Sequence, residues 1–307
     1  MGFSPDNFKN FKEETWTVYG KQFKHLMIDI DDVDDTNLLI ELAAAVRFID
    51  EGLKGTDGKP GGVFVHCAAG KSRSVSTVIA YLLWKHPQEF NPDPLGKRSR
   101  KEAAVEAVAK ALALIRTTRP MGDPNDGFME QLALWWEMGC PEDVEKQPIY
   151  QRWVYKREVA EDLAVGQAPS RLRFEDEETP QAAAAGGGSS LRCKKCRRVL
   201  ATAPFVINHQ PAAGAPACQH QFIEPLSWMR SELEKGELNG RLLCPNTRCG
   251  AAVGRYDWKG FKCSCGGWLT PAFSLQKARV DEEVGVPATA RSLGIRMPPG
   301  MGRGGNL

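Results

Sequence analysis

The residues best suited to chemistry lie in one run, His66-Cys67-Ala68-Ala69-Gly70-Lys71-Ser72-Arg73-Ser74. Five small or polar residues separate Cys67 from Arg73, a C-x5-R spacing that suits capture of a phosphate dianion and nucleophilic attack on it. The backbone N–H groups of Ala68, Ala69, Gly70, Lys71, Ser72 and Arg73 can turn inward as an anion nest, and a following helix adds its positive end. Gly70 lets the loop turn where a side chain would obstruct it. Arg73 supplies a planar, permanently charged fork for two phosphate oxygens. Such surroundings bring a thiol from roughly 8.5 to between ~3.5 and ~7.5, which makes Cys67 a thiolate nucleophile. The bland reading is an inert buried cysteine in a turn before an arginine. The preceding His66, the glycine and the Ser-Arg-Ser end favour the phosphate loop.

This loop needs a strand to enter it and a helix to leave it. Val63, Phe64 and Val65 form a short apolar, β-branched run that predicts a buried strand. Past Ser74, the residues Val75, Val78, Ile79, Leu82 and Leu83 recur at spacings of three and four, which predicts a helix. Upstream, residues 23–30 (FKHLMIDI) read as another strand, leading into an acidic loop over 29–35. A helix over 36–53 follows, with Leu39, Leu42, Val46 and Ile49 facing the core. Downstream, helices are expected over 99–118, ended by Pro120, over 127–138, ended by Gly139, and over 148–164.

A second chemistry belongs to the C-terminal half, which holds seven of the nine cysteines within residues 191–270. Cys193-x-x-Cys196 has the spacing that presents two thiolates to one tetrahedral metal, and Cys244, Cys249, Cys263 and Cys265 make a further set. The first set gains Cys218 and a histidine, His209 or His220. Sequential pairing, with 193, 196 and 218 in one site and 244, 249, 263 and 265 in the other, is simpler than a cross-brace. Four protein ligands with no open position favour structural zinc, which would supply folding free energy to a domain with little core.

A length of 307 residues predicts about two domains, and 42% hydrophobic residues are ordinary for a globular chain. Between the halves, residues 175–190 (EDEETPQAAAAGGGSS) read as a flexible linker, and residues past 286, rich in Gly, Pro and Arg, as a disordered tail. Net charge is +2, unevenly spread: residues 191–285 carry 14 Lys and Arg against 8 Asp and Glu. That asymmetry fits a nucleic-acid-facing C-terminal part and equally a solvated basic face. No apolar run reaches the ~20 residues a membrane span needs, and reduced thiols predict a cytoplasmic or nuclear setting.

The run HCAAGKSRS resembles the signature of the protein tyrosine phosphatase superfamily, in its dual-specificity branch. The resemblance implies a general acid on the acidic loop, with Asp32 in its place and Asp31 as runner-up. It implies that the Ser74 hydroxyl stabilises the departing thiolate; Ser74 could also simply cap the helix. His66 is expected to orient the loop by hydrogen bonding, and Asn125 in PNDGF resembles an Asn-x-x-Phe motif of structural use. CKKC, FIEPLSWM, YDWKG and CSCGGWLTPAFSLQKARVD are similar to the C-terminal domain of the zinc-binding dual-specificity phosphatases, the dual-specificity phosphatase twelve type, over roughly residues 23–283.

This second resemblance implies His209 as the fourth ligand beside Cys193, Cys196 and Cys218, two structural zinc ions, and no cofactor for catalysis. It also implies a role of the zinc domain in assembly of the large ribosomal subunit, with the pre-60S particle (rRNA and ribosomal proteins) and a phosphoprotein substrate as partners. Arg192, Lys194, Lys195, Arg197 and Arg198 around the first knuckle are compatible with rRNA phosphates. The expected fold class is α/β: a dual-specificity phosphatase fold over 1–165, a linker over 166–190, a small β-rich two-zinc domain over 191–285 and a tail over 286–307. The family places further strands ahead of residues 23–30, whereas only 22 residues precede them here, so a phosphatase domain lacking its N-terminal strands is expected. Two functions stay open: a phosphatase acting through a cysteinyl-phosphate, or a catalytically impaired assembly factor that uses the phosphatase domain as a scaffold. A monomer in nucleus and cytoplasm is expected in either case.

Overall fold

A computed structural model describes residues 23–55, 59–178, 188–209 and 218–283. The expected tail, the first 22 residues and most of the Ala/Gly/Ser tract lie outside the described residues. The chain forms two compact units, divided between Val154 and Tyr155.

The described part of the first unit is helical: α1 (Leu39–Lys54), α2 (Arg73–Lys85), the single turn α3 (Pro87–Phe90), α4 (Arg100–Thr118) and α5 (Asp126–Glu137), with α6 (Pro148–Ala164) beginning in it. Leu39, Leu42 and Val46 of α1, Val75, Ile79 and Leu83 of α2, and Phe128, Leu132 and Trp135 of α5 share one core. Fully burying each large side chain stabilises by about 1.5–3 kcal/mol. Ser99 and Glu102 close a capping box at the start of α4, and Asn125 caps α5 by accepting from Phe128 N at 2.8 Å.

Leu38, the residue at the start of α1, offers no capping side chain of its own; the side-chain amide of Gln131 on α5 caps it instead. Its Oε1 accepts from Leu38 N at 2.7 Å and Leu39 N at 3.3 Å, and its Nε2 donates to Thr36 O at 2.8 Å. Gly127 lets α5 approach the acidic loop, since a Cβ there would sit 2.0 Å from the Asp34 carbonyl oxygen. One helical turn therefore fixes both the start of α1 and the loop that carries the acidic residues.

Two expected strands do not form. Among the described residues, neither 23–30 nor 63–65 belongs to a strand. Phe64, expected to be buried, is 86% exposed. Apolar composition cannot make a strand by itself; backbone N–H and C=O groups need a neighbouring strand to pair with.

The second unit supplies the sheets of the α/β chain. Strands β1 (Ser190–Cys193), β2 (Val199–Thr202) and β10 (Val280–Glu283) pair antiparallel in the order β10-β1-β2. A five-stranded sheet runs β3 (Val206–Ile207), β4 (His220–Ile223), β9 (Ala272–Gln276), β6 (Ala252–Asp257), β5 (Asn239–Leu243), and β7 (Phe261–Lys262) pairs with β8 (Trp268–Leu269). Tyr256, Trp258, Phe273 and Leu275 are its central core residues. Gly254 of β6 allows close strand approach, because a Cβ there would lie 1.9 Å from the Ser274 carbonyl oxygen.

Part of the stretch 166–190 is packed, where a flexible linker is expected. Phe174 is buried in the core of the second unit, under the guanidinium of Arg230 at 4.3 Å from the ring centroid. Within the turn α7 (Glu175–Glu178), Asp176 accepts from Ser227 N at 2.8 Å and Oγ at 2.6 Å, and Glu177 binds Arg230 at 2.7 and 2.8 Å. The acidic composition suggests a solvated segment; one aromatic anchor and matched donors on the other side override it.

Candidate active site and metal centres

The loop before α2 wraps around the Cys67 sulfur. Cys67 Sγ lies 3.4 Å from Ser74 Oγ and receives the backbone N–H groups of Ser74, Lys71 and Gly70. Burial works to push the thiol up, and these hydrogen bonds outweigh it, bringing Cys67 down to about 7. Ser74 is buried inside the first turn of α2, so it does not cap the helix; Ser72 holds that position without a side-chain cap bond. Gly70 adopts φ +61°, which favours glycine.

Arg73, at the start of α2, reaches across to the acidic loop. Its Nη1 donates to Ile30 O at 3.0 Å, and its Nε pairs with Asp32 Oδ2 at 3.4 Å. The other oxygen of Asp32 accepts from Asn125 Nδ2 at 3.0 Å. Asp32 is thus held beside the phosphate loop by the Asn of the PNDGF motif, whose own N–H donates to Ser72 Oγ at 3.2 Å. His66 does otherwise than expected: it is exposed and stacks on Phe64 at 5.1 Å, with no hydrogen bond among the described residues.

A contact unseen in the sequence lies on the outer side of the loop. Arg119 donates from Nε to Gly70 O at 2.7 Å and from Nη2 to Ala69 O at 3.2 Å. Asp123 N donates to Lys71 O at 2.8 Å, and the Lys71 ammonium pairs with Asp123 at 3.2 Å. The available signal was slight: Arg119 is the first residue past a helix, before Pro120. Cys140, by contrast, is pushed up to about 12 by burial and is unreactive at neutral pH.

The eight metal-site candidates gather into two groups of four, with ligand atoms within 4.8 Å of one another. One is Cys193, Cys196, Cys244 and Cys249; the other is His209, Cys218, Cys263 and Cys265. The pairing is a cross-brace, which corrects the sequential pairing expected from the spacing. The physical reason is the topology: β1 and β2 carry the first knuckle next to the turn between β5 and β6, so hairpins distant in sequence share a site. His209, with Nε2 3.1 Å from Cys218 Sγ, joins the second group; the His220 ring instead meets Phe261 and Phe222. The sulfur separations fit a metal: Cys193 to Cys249 is 3.9 Å and Cys196 to Cys244 is 3.5 Å. Thiolates at ~2.3 Å from a tetrahedral ion stand roughly 3.8 Å apart. Both groups could hold a metal ion, and their donors suit zinc.

The first knuckle's cations are mostly engaged within the unit. Arg192 pairs with Glu283, Arg197 with Asp281 and Glu283, and Lys194 with Asp281. Lys195 donates to the Cys249 carbonyl at 3.1 Å. No helix among the described residues is long and apolar enough to cross a membrane.

Residues 6–91 match the family described as dual specificity phosphatase, catalytic domain. Over longer spans the chain is similar to the tyrosine-protein phosphatase yvh1 of Schizosaccharomyces pombe, 35% identical across 84% of this chain and 71% of the relative. It is similar to the tyrosine-protein phosphatase YVH1 of Saccharomyces cerevisiae at 32%, across 86% of this chain and 78% of that one. It also resembles dual specificity protein phosphatase 12 of Mus musculus, at 31% across 84% of this chain and 74% of the relative.

Proposed function

The chain belongs to the dual-specificity protein phosphatase family, and we propose that it hydrolyses phosphoprotein esters through a cysteinyl-phosphate on Cys67, with a structural two-zinc unit at its C-terminal side. The observation that carries this reading is the sulfur of Cys67, brought to about 7 by the Ser74 hydroxyl and the backbone N–H groups of Ser74, Lys71 and Gly70. At neutral pH a large fraction of this sulfur is thiolate. It attacks phosphorus, a P–S bond forms, and the P–O bond to the substrate breaks. Once released by Arg73, the Asp32 carboxylate takes up a proton from solvent, gives it to the leaving oxygen, and takes one back from the water that cleaves P–S. The Ser74 hydroxyl donates to the departing thiolate. Arg73 binds two phosphate oxygens as a fork, and its move onto phosphate frees the Asp32 oxygen it holds in the resting site. The test is turnover of an aryl phosphate by the full chain and by Cys67→Ser; an unimpaired variant sinks the mechanism.

Within this reading the two metal groups hold zinc as structural ions. Each has four protein ligands and no open position, so the ions tie distant hairpins together and do no chemistry on substrate. A second role, in assembly of the large ribosomal subunit in nucleus and cytoplasm, follows from the family resemblance of the zinc unit. Its excess of basic residues supports contact with RNA, but the first knuckle is a poor source of that contact, because Arg192, Lys194, Lys195 and Arg197 are engaged within the unit. Co-sedimentation with large-subunit precursors should survive Cys67→Ser and fail with Cys244→Ser; the reverse pattern would exclude an assembly role for the zinc unit.

A further inference from the structure

We infer that Arg119 is a positioning residue for the phosphate loop: its guanidinium forks onto the Ala69 and Gly70 carbonyls and so keeps the loop's N–H groups turned toward the anion site. The inference rests on reading residues 66–74 as a phosphate loop. In a planar trans peptide the carbonyl of one residue and the N–H of the next point in opposite directions. A carbonyl of Ala69 held outward by Arg119 therefore turns the N–H of Gly70 inward, and a carbonyl of Gly70 held outward turns in the N–H of Lys71. Those two N–H groups are among the donors to the Cys67 sulfur. The same logic continues one residue on, where Asp123 N holds the Lys71 carbonyl at 2.8 Å and so turns in the N–H of Ser72.

Gly70 fits this brace twice over. Its φ of +61° turns the loop, and a Cβ on it would lie 2.5 Å from Arg119 Nη2. Arg119 follows directly on α4 and precedes Pro120, so the chain there is anchored on one side and stiff on the other. A lysine could supply the charge but only as a point; spanning two successive carbonyls needs the planar fork.

The test compares full-length wild type, Arg119→Ala and Arg119→Lys. Two readouts need no turnover: the pH midpoint of Cys67 alkylation by iodoacetamide, followed by peptide mass spectrometry, and protection of Cys67 by inorganic phosphate. The expected result for Arg119→Ala is an upward shift of the midpoint and protection weakened about tenfold. Arg119→Lys should recover only part of either. The inference is overturned if Arg119→Ala keeps the wild-type midpoint and protection, even with a lowered Tm, since that is a merely structural role. It is also overturned if Arg119→Lys restores both fully, which would make charge rather than the fork the cause. If phosphate fails to protect Cys67 in the wild type, the phosphate-loop reading itself fails, an outcome distinct from the other two.

Discussion

Asp32 and Arg73 form an ion pair across the mouth of the phosphate loop, with Asp32 Oδ2 3.4 Å from Arg73 Nε and the other oxygen on Asn125 Nδ2 at 3.0 Å. In the proposed mechanism, the residue that binds phosphate and the residue that protonates the leaving group thus hold each other in the resting site. Asp32→Asn keeps the shape and removes the proton. It should lower kcat by on the order of 10²–10⁴-fold for a phosphotyrosine peptide and by much less for an aryl phosphate whose leaving group needs no proton. Equal losses on both substrates would exclude Asp32 as the acid.

The pH profile follows from Cys67. Its thiol sits at about 7, below the ordinary range near ~8.5, so the thiolate is lost as pH falls through 7 and kcat/KM should fall with it. Ser74→Ala removes one of the hydrogen bonds that hold the sulfur down, and the acidic limb should move to higher pH. A stopped-flow profile would show it, together with slower breakdown of the phosphoenzyme. An acidic limb unchanged in Ser74→Ala would contradict the role given to its hydroxyl.

Gln131 links the catalytic loop to stability. Its buried amide satisfies Leu38 N, Leu39 N and Thr36 O, so Gln131→Leu leaves these groups unpaired in the core. The expected cost is about 1–3 kcal/mol, read from urea unfolding of the full chain followed by tryptophan fluorescence. Because the same turn holds the acidic loop, kcat should fall along with stability.

The cross-brace makes a count that sequential pairing does not. Cys193→Ser with Cys249→Ser removes two ligands from one site, so one zinc per chain should remain. Cys193→Ser with Cys263→Ser strikes both sites, and zinc should fall toward none. Elemental analysis of the purified variants decides it. Sequential pairing predicts the opposite for the first pair: both sites damaged.

What the sequence revealed depended on how local each feature is. Cys67, Arg73 and Ser74 lie in one short run, and the loop they bound is set by turn geometry and helix start, so it was legible. Helices α1, α2, α4, α5 and α6 were legible from their apolar periodicity and breakers. Cysteine spacing identifies knuckles but not which two knuckles meet, because that depends on strand order in a sheet. Residues 23–30 and 63–65 have strand composition, yet a strand is a property of a pair. Arg119 was invisible for a related reason: its partners are backbone carbonyls 49 and 50 residues away, which no side-chain pattern announces.

The most direct test of the account is to find where phosphate goes during turnover. The full chain is mixed with an aryl phosphate, quenched in acid within one turnover, and digested for peptide mapping. A phosphate adduct is expected on the peptide bearing Cys67, absent in Cys67→Ser, whose turnover should fall roughly 10⁴-fold. An adduct on another residue, or undiminished turnover by Cys67→Ser, would contradict it.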